Sequence, residues 1–102
     1  MSKIEQLQEF LKENPEDAFI NYAIALEHVK LNHKDQANQL FHSLTIKHPD
    51  YLPTYLQYGN LLVEIGEQEQ AAIIYEKGIA VALTQKNLKA KGELEQALFM
   101  LD

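Results

Sequence analysis

Residues 52–85 read LPTYLQYGNLLVEIGEQEQAAIIYEKGIAVALTQ, and their pattern predicts two helices. Apolar residues recur at helical spacing over residues 51–65 and again from 67 to about 83, and Gly66 separates the two segments. A glycine at this point is typical of a helix end, because glycine adopts the left-handed conformation without strain. The connection is so short that the two predicted helices must pack antiparallel.

The rest of the chain shows the same helical periodicity. Four further apolar-periodic segments span residues 4–11, 18–31, 35–46 and 88–101. Gln, Glu, Leu, Ala and Lys dominate these segments, and apolar and polar residues do not alternate over the length of a strand. The sequence therefore predicts an all-α fold of about six helices.

Two helix starts carry capping signals. Asn14 precedes Pro15 and is predicted to cap the second helix, with the proline at the first helical position. Asp50 is predicted to cap the fourth helix in the same way, with Pro53 in its first turn.

An internal repeat relates the two halves of the chain. Shifting the sequence by 34 residues aligns four identical pairs: Pro15 with Pro49, Val29 with Val63, Gln36 with Gln70 and Ala37 with Ala71. A period of about 34 residues built from two helices is the signature of tetratricopeptide repeats. The chain resembles this family, and in particular its small bacterial-type members.

The resemblance implies an α-α superhelix, a solenoid of antiparallel helix pairs, formed by residues 1–102 as a single domain. Residues 1–14 would be the second helix of a half repeat, 18–51 the first full repeat, 52–85 the second, and 87–102 a capping helix. Small residues at Ala25 and Gly59 would let the paired helices approach closely. Phe41 and Tyr75 would fill the space between consecutive repeats.

The resemblance also implies a binding groove, because the first helix of each pair lines the concave face in this family. The corresponding residues are Phe19, Tyr22, Leu26, Val29 and Lys30 in the first repeat and Pro53, Leu56, Asn60, Val63 and Glu64 in the second. In relatives that bind peptides, Asn at the position of Asn60 can hydrogen-bond the ligand's backbone. The cationic positions that grip a carboxylate terminus in other relatives are not basic here, so an apolar or basic ligand fits better than an acidic one.

The residues themselves agree that the first of these helices is unusual. Phe19, Tyr22, Leu26 and Val29 form an apolar stripe separate from the face that carries Ile24 and Ala25. A helix that is apolar on two faces is either buried on both or presents a binding surface. Both alternatives stay open at this point: neighbouring helices cover the stripe, or a peptide does.

We therefore expect a non-catalytic protein–protein interaction module that binds a peptide or protein segment in the concave groove. The alternative is a self-assembling structural module, because two full repeats are fewer than the three usually needed for stability. Exposed repeat edges would then form a homodimer through five apolar residues, Ile4, Leu7, Leu98, Phe99 and Met100. A regulatory subunit of an enzyme is a third reading, which the sequence does not separate from the first.

Composition excludes several other functions. The 102 residues carry a formal charge of -6, with no Arg and no Cys, so disulfides, thiolate chemistry and the basic footprint of a nucleic-acid binder are absent. No apolar run is long enough to span a membrane. None of the four histidines, His28, His33, His42 and His48, has another at i+3 or i+4, as a helix-borne metal site would need. We expect a cytoplasmic protein without metal, cofactor or small-molecule substrate.

Overall fold

A computed structural model describes residues 1–101. Within that range the chain forms six α-helices and no strand: α1 (Lys3–Glu13), α2 (Ala18–Lys30), α3 (Lys34–Lys47), α4 (Pro53–Glu64), α5 (Gln68–Thr84) and α6 (Leu88–Phe99). The prediction of an all-α fold with about six helices is confirmed, and each helix lies within a few residues of its apolar-periodic segment.

The helices form an arc rather than a closed bundle. Every helix packs on the next one in the chain, and α4 also contacts α2 and α6. Among residues 1–101 the odd-numbered helices make no such contacts with one another. The even-numbered helices therefore line the inner, concave side of the arc, and α1 and α6 lie at its two ends.

Close packing between paired helices depends on small residues. Ala25, Ala37 and Ala71 are fully buried. Gly59 on α4 lies directly under the ring of Tyr75 on α5, so that a Cβ at Gly59 would be 2.2 Å from Tyr75 Cε1. The helix pair can approach this closely because the glycine has no side chain.

Aromatic packing joins consecutive repeats. The ring of Phe41, fully buried on α3, stacks on Tyr58 of α4 with ring centroids 5.7 Å apart. The same ring lies 6.4 Å from that of Tyr22 on α2. Phe41 thus connects the two helix pairs, as the sequence predicts, and its contacts place Tyr22 at the start of the concave side.

The prediction that Asn14 caps α2 is wrong. The helix begins at Ala18, and Asp17 is its cap, because Asp17 Oδ1 accepts a hydrogen bond of 2.8 Å from the backbone N–H of Ile20. Asn14 instead accepts a 3.1 Å hydrogen bond from the N–H of Asp17 at its backbone carbonyl, which closes a turn. Pro15 occupies the second position of that turn, where its fixed φ is favourable.

The prediction that Asp50 caps α4 is also wrong. Helix α4 begins at Pro53, as expected for a proline in the first turn, but its cap position is Leu52, which makes no side-chain capping bond. The backbone carbonyl of Asp50 accepts a 2.6 Å hydrogen bond from Gln85 Nε2 at the end of α5. This long-range contact holds the segment before α4 against the segment before α6.

Three helices end in the left-handed conformation. Gly66 has a φ of +86° just after α4, as predicted, and Asn32 after α2 and Lys86 after α5 have φ values of 63° and 56°. In each case the following residue donates a backbone hydrogen bond to a carbonyl in the last turn of the helix. These turns reverse the chain within a few residues and produce the antiparallel pairs.

Candidate functional site

A cleft of about 450 Å³ opens on the concave side, between α2, α4 and α6. Its apolar and aromatic lining comes from all three helices and from the segment before α4: Tyr22, Tyr51, Leu52, Pro53, Leu56, Ala90 and Leu94. Leu94 is almost fully buried, whereas Leu56 and Ala90 are half-buried. The cleft is therefore closed on the side of Leu94, which belongs to the core, and Leu56 and Ala90 keep apolar surface that a ligand can contact.

The polar lining of this cleft is acidic or neutral. Within residues 1–101, two carboxylates, Asp50 and Glu93, and three amides, Gln57, Gln85 and Asn87, contribute to it, and no Lys or His does. Two of the amides hold the scaffold, since Gln85 donates to the carbonyl of Asp50 and Asn87 Oδ1 accepts a 3.0 Å hydrogen bond from the N–H of Ala90. Neither carboxylate has a hydrogen-bond or ion-pair partner among residues 1–101.

Two tyrosines form the aromatic side of the cleft. The rings of Tyr22 and Tyr51 meet edge to face, with centroids 5.6 Å apart. Burial raises the pKa of the Tyr22 hydroxyl, and the nearby Tyr51 hydroxyl raises it further. Burial also raises the pKa of Tyr51, with a smaller contribution from the charge of Asp17. Both hydroxyls therefore stay neutral near physiological pH and can donate as well as accept hydrogen bonds.

A second, smaller cleft of about 220 Å³ lies beside the C-terminal halves of α4 and α6. Its lining is largely apolar and consists of Asn60, Val63, Tyr75, Ala97, Met100 and Leu101. Asn60 Oδ1 accepts a 2.6 Å hydrogen bond from the Tyr75 hydroxyl, and the Asn60 amide nitrogen has no partner among residues 1–101. The amide is held in place by its oxygen, and its two N–H donors remain for another acceptor.

The two clefts contain half of the residues predicted for the groove. Tyr22, Pro53 and Leu56 line the first, and Asn60 and Val63 line the second. Every one of these except Tyr22 lies on α4, which is the central helix of the concave side. Their role in binding stays a prediction.

The other predicted groove residues line neither cleft. Leu26 and Val29 are half-buried against the core, while the side chain of Phe19 is 64% exposed. Lys30 is exposed, and the carboxylate of Glu64 lies 3.7 Å from the ammonium group of Lys34. The apolar stripe of α2 is thus divided, with its C-terminal half packed against the protein and its N-terminal end at Phe19 open.

Sequence reasoning missed the polar residues of the first cleft. Asp50, Gln85 and Asn87 lie in connections between helices, and Glu93 lies on a helix predicted only to cap the arc. The repeat pattern carries no signal for them, since it describes how helices pack and not which connections face the same opening.

Sequence reasoning also missed a histidine pair. His28 Nδ1 and His33 Nδ1 are 3.1 Å apart, because the left-handed turn at Asn32 folds the chain back between them. Burial, and secondly His33, lowers the pKa of His28. Across residues 1–101 no group of three or more His, Cys, Asp or Glu side chains could hold a metal ion.

The residues predicted for self-association do not form one surface. Ile4, Leu7 and Leu98 are half-buried, whereas Phe99 and Met100 are 86% and 73% exposed. Helices α1 and α6, which carry these residues, make no contact. In the part of the chain that the structure describes, no helix is long and apolar enough to cross a membrane.

The fold is similar to several solved structures. A crystal structure of a tetratricopeptide repeat domain protein from Salinibacter ruber is 35% identical with a TM-score of 0.78, and covers 81% of this chain and 92% of its own. A solution NMR structure of a tetratricopeptide repeat domain protein from the same organism is 36% identical, with a TM-score of 0.81 and coverages of 84% and 87%.

The crystal structure of MamA is 19% identical with a TM-score of 0.69, covers 93% of this chain and 62% of its own, and shows the fold alone. No protein-family model and no curated protein sequence matches the chain. The 34-residue period, the arc of paired helices and the similarity to the two Salinibacter ruber structures show that this chain belongs to the tetratricopeptide repeat family.

Proposed function

We propose that this chain is a non-catalytic interaction module that binds a peptide or protein segment on its concave side. The tetratricopeptide fold supports a protein-interaction or scaffold role in general. The observation that carries the specific proposal is the cleft of about 450 Å³ between α2, α4 and α6, because it combines apolar walls with polar groups that lack partners within residues 1–101. Such a combination is typical of a ligand site.

Two amides of α4, a half-buried one and an exposed one, suggest how a peptide backbone would bind. Gln57 and Asn60 are three residues apart, so they share one face of the helix, and each lines one of the two clefts. The Asn60 amide nitrogen is free to donate to a carbonyl of the ligand. A peptide laid along α4 would place one side chain in the larger cleft and another in the smaller one.

A selection from a random dodecapeptide display library tests this proposal. Peptides selected on the wild-type chain are expected to shift the NMR signals of the cleft residues, the Gln57 and Gln85 side-chain amides among them. The substitution Gln57→Phe fills the cleft and is expected to weaken binding at least tenfold. The matched control Gln70→Phe changes an exposed residue of α5 outside the cleft and is expected to bind like the wild type.

Two results would contradict the proposal. The first is equal affinity of the Gln57→Phe and Gln70→Phe variants for the selected peptides. The second is a set of shifted signals confined to α3 and α5, which form the outer side of the arc.

A second candidate function is self-association through α6. Leu88 and Phe99 are eleven residues apart, so they lie on the same side of this helix, and both are largely exposed. Light scattering at tens of micromolar distinguishes the candidates: the 11.7 kDa mass of the chain alone contradicts self-association. A doubled mass that returns to the single-chain value in a Phe99→Ser/Met100→Ser variant supports it.

A further inference from the structure

We infer that the cleft between α2, α4 and α6 selects partners that insert a lysine or arginine side chain. This inference rests on the proposed function, because it names the chemistry of the segment bound on the concave side. It concerns the larger cleft only, and three features of the lining support it: the carboxylates, the aromatic rings and the apolar walls.

The carboxylates provide the charge complementarity. Asp50 contributes from the segment before α4 and Glu93 from α6, so the two acids reach the cleft from different elements. Both residues are exposed, and neither carboxylate is engaged by a cation or a hydrogen-bond donor within residues 1–101. An incoming ammonium or guanidinium group would displace no internal partner, whereas an incoming carboxylate would face two like charges with no cation in the lining.

The aromatic and apolar lining suits the rest of such a side chain. The rings of Tyr22 and Tyr51 stand beside the cleft, and a cation held over a tyrosine face is attracted by its quadrupole. Leu56 of α4 and Ala90 of α6 add half-buried apolar surface to the lining. The methylene groups of lysine or arginine pack on surface of this kind while the charged end stays near the carboxylates.

The smaller cleft differs in chemistry from the larger one, so the two clefts should bind different side chains of one peptide. Among residues 1–101, its lining from Asn60, Val63, Ala97, Met100 and the other residues named above contains no charged side chain. A peptide that places its cation in the larger cleft would therefore present a neutral, apolar side chain to the smaller one. The selected motif is expected to contain one cationic and one apolar position at a constant spacing.

The test uses the dodecapeptide display selection with a charge-neutralised variant. Asp50→Asn/Glu93→Gln removes both cleft carboxylates with little change in shape, and far-UV circular dichroism verifies that the variant folds. The matched control is Glu67→Gln/Glu69→Gln, which removes the same charge from two exposed residues at the start of α5 that line neither cleft. Both variants raise the formal charge of the chain equally.

The wild type and the control are expected to enrich lysine or arginine at one position, and the cleft variant is not. Replacing that lysine with glutamate in a selected peptide should weaken binding to the wild type at least tenfold and to the cleft variant less than threefold. Added salt should reduce the difference, because it screens exposed charges.

The outcomes separate this inference from the proposed function. Peptides that shift the cleft signals without cationic enrichment, or equal enrichment by the cleft variant, overturn the inference and leave the proposed function in place. A selection that yields no binding peptides, or peptides that shift only signals outside the concave side, overturns both.

Discussion

The contact between Gly59 and Tyr75 predicts the effect of adding a single methyl group to the protein. An alanine Cβ at position 59 would lie 2.2 Å from Tyr75 Cε1 and 2.6 Å from Cδ1, whereas ordinary contacts begin at 3.4 Å. The ring would have to move by more than 1 Å. It is only 2% exposed, and its hydroxyl is held by Asn60, so a shift of the ring disturbs both its packing and that hydrogen bond.

The expected cost follows from these contacts. Overpacking a well-packed core costs about 1–3 kcal/mol, and loss of the Tyr75–Asn60 hydrogen bond would add about 1 kcal/mol. Replacing a glycine with alanine inside a helix by itself raises the free energy of unfolding by about 0.5–1 kcal/mol. Gly59→Ala is therefore expected to lower the free energy of unfolding by about 1–3 kcal/mol.

Gly92 provides the internal control, because it lies in α6 and an added Cβ would meet no heavy atom of residues 1–101 within 4 Å beyond its chain neighbours and the adjacent backbone of its own helix. The same substitution there lacks the packing term and should raise the free energy of unfolding by about 0.5–1 kcal/mol. Urea denaturation followed by far-UV circular dichroism measures both variants. The two midpoints are expected to move in opposite directions from the wild type.

The double variant Gly59→Ala/Tyr75→Leu isolates the contact itself. Leucine lacks the ring edge that meets the new methyl group, so the cost of Gly59→Ala should be smaller in that background. A Gly59→Ala variant as stable as the wild type would contradict a steric clash at this contact. So would an equal cost of Gly59→Ala in the two backgrounds.

Three further predictions concern buried and capping groups. Thr54 is fully buried and its hydroxyl has no partner among residues 1–101, so Thr54→Val should raise the free energy of unfolding by about 1 kcal/mol, and a lower urea midpoint would contradict this. Asp17→Ala removes the cap of α2 and should lower the free energy of unfolding by about 1 kcal/mol. Asn14→Ala leaves the backbone turn intact and should lower it clearly less in the same urea assay. Burial, and secondly His33, lowers the pKa of His28 below 6.5, so the unfolded chain binds that proton more readily. The free energy of unfolding should therefore fall as the pH drops through 6.5 toward the lowered pKa of the folded state. Urea titrations between about pH 7.5 and about pH 5.5 measure this fall, and His28→Gln should reduce it. An unchanged fall in that variant would contradict the assignment to His28.

Much of the scaffold could be predicted because its signals are local. The spacing of apolar residues determines each helix, and the small residues Ala25 and Gly59 mark where paired helices approach. The caps of α2 and α4 were harder, because Asn14 and Asp17 are both good capping residues within one short segment. Pro15 favours a turn before Asp17, and Asp50 lies two residues before Leu52, the cap position of α4, with its backbone carbonyl bonded to Gln85.

The candidate site was only partly predictable. Tyr22, Leu56 and Asn60 follow from their positions in the repeat, and they line the clefts. Leu26 and Val29 share the same pattern but pack against the core. A helical repeat position specifies a face of the helix, and it does not specify how much of that face its neighbours cover.

The helices, their 34-residue period and their antiparallel pairing follow from the amino-acid sequence alone, because they depend on side-chain spacing and on short turns along the chain. Which residues meet across the arc depends on how the helices pack. Asp50 and Glu93 are 43 positions apart and line one cleft because α4 and α6 pack side by side, with Gln85 holding the two preceding segments together. That arrangement depends on the angle between helices, which many contacts set together and no single segment encodes.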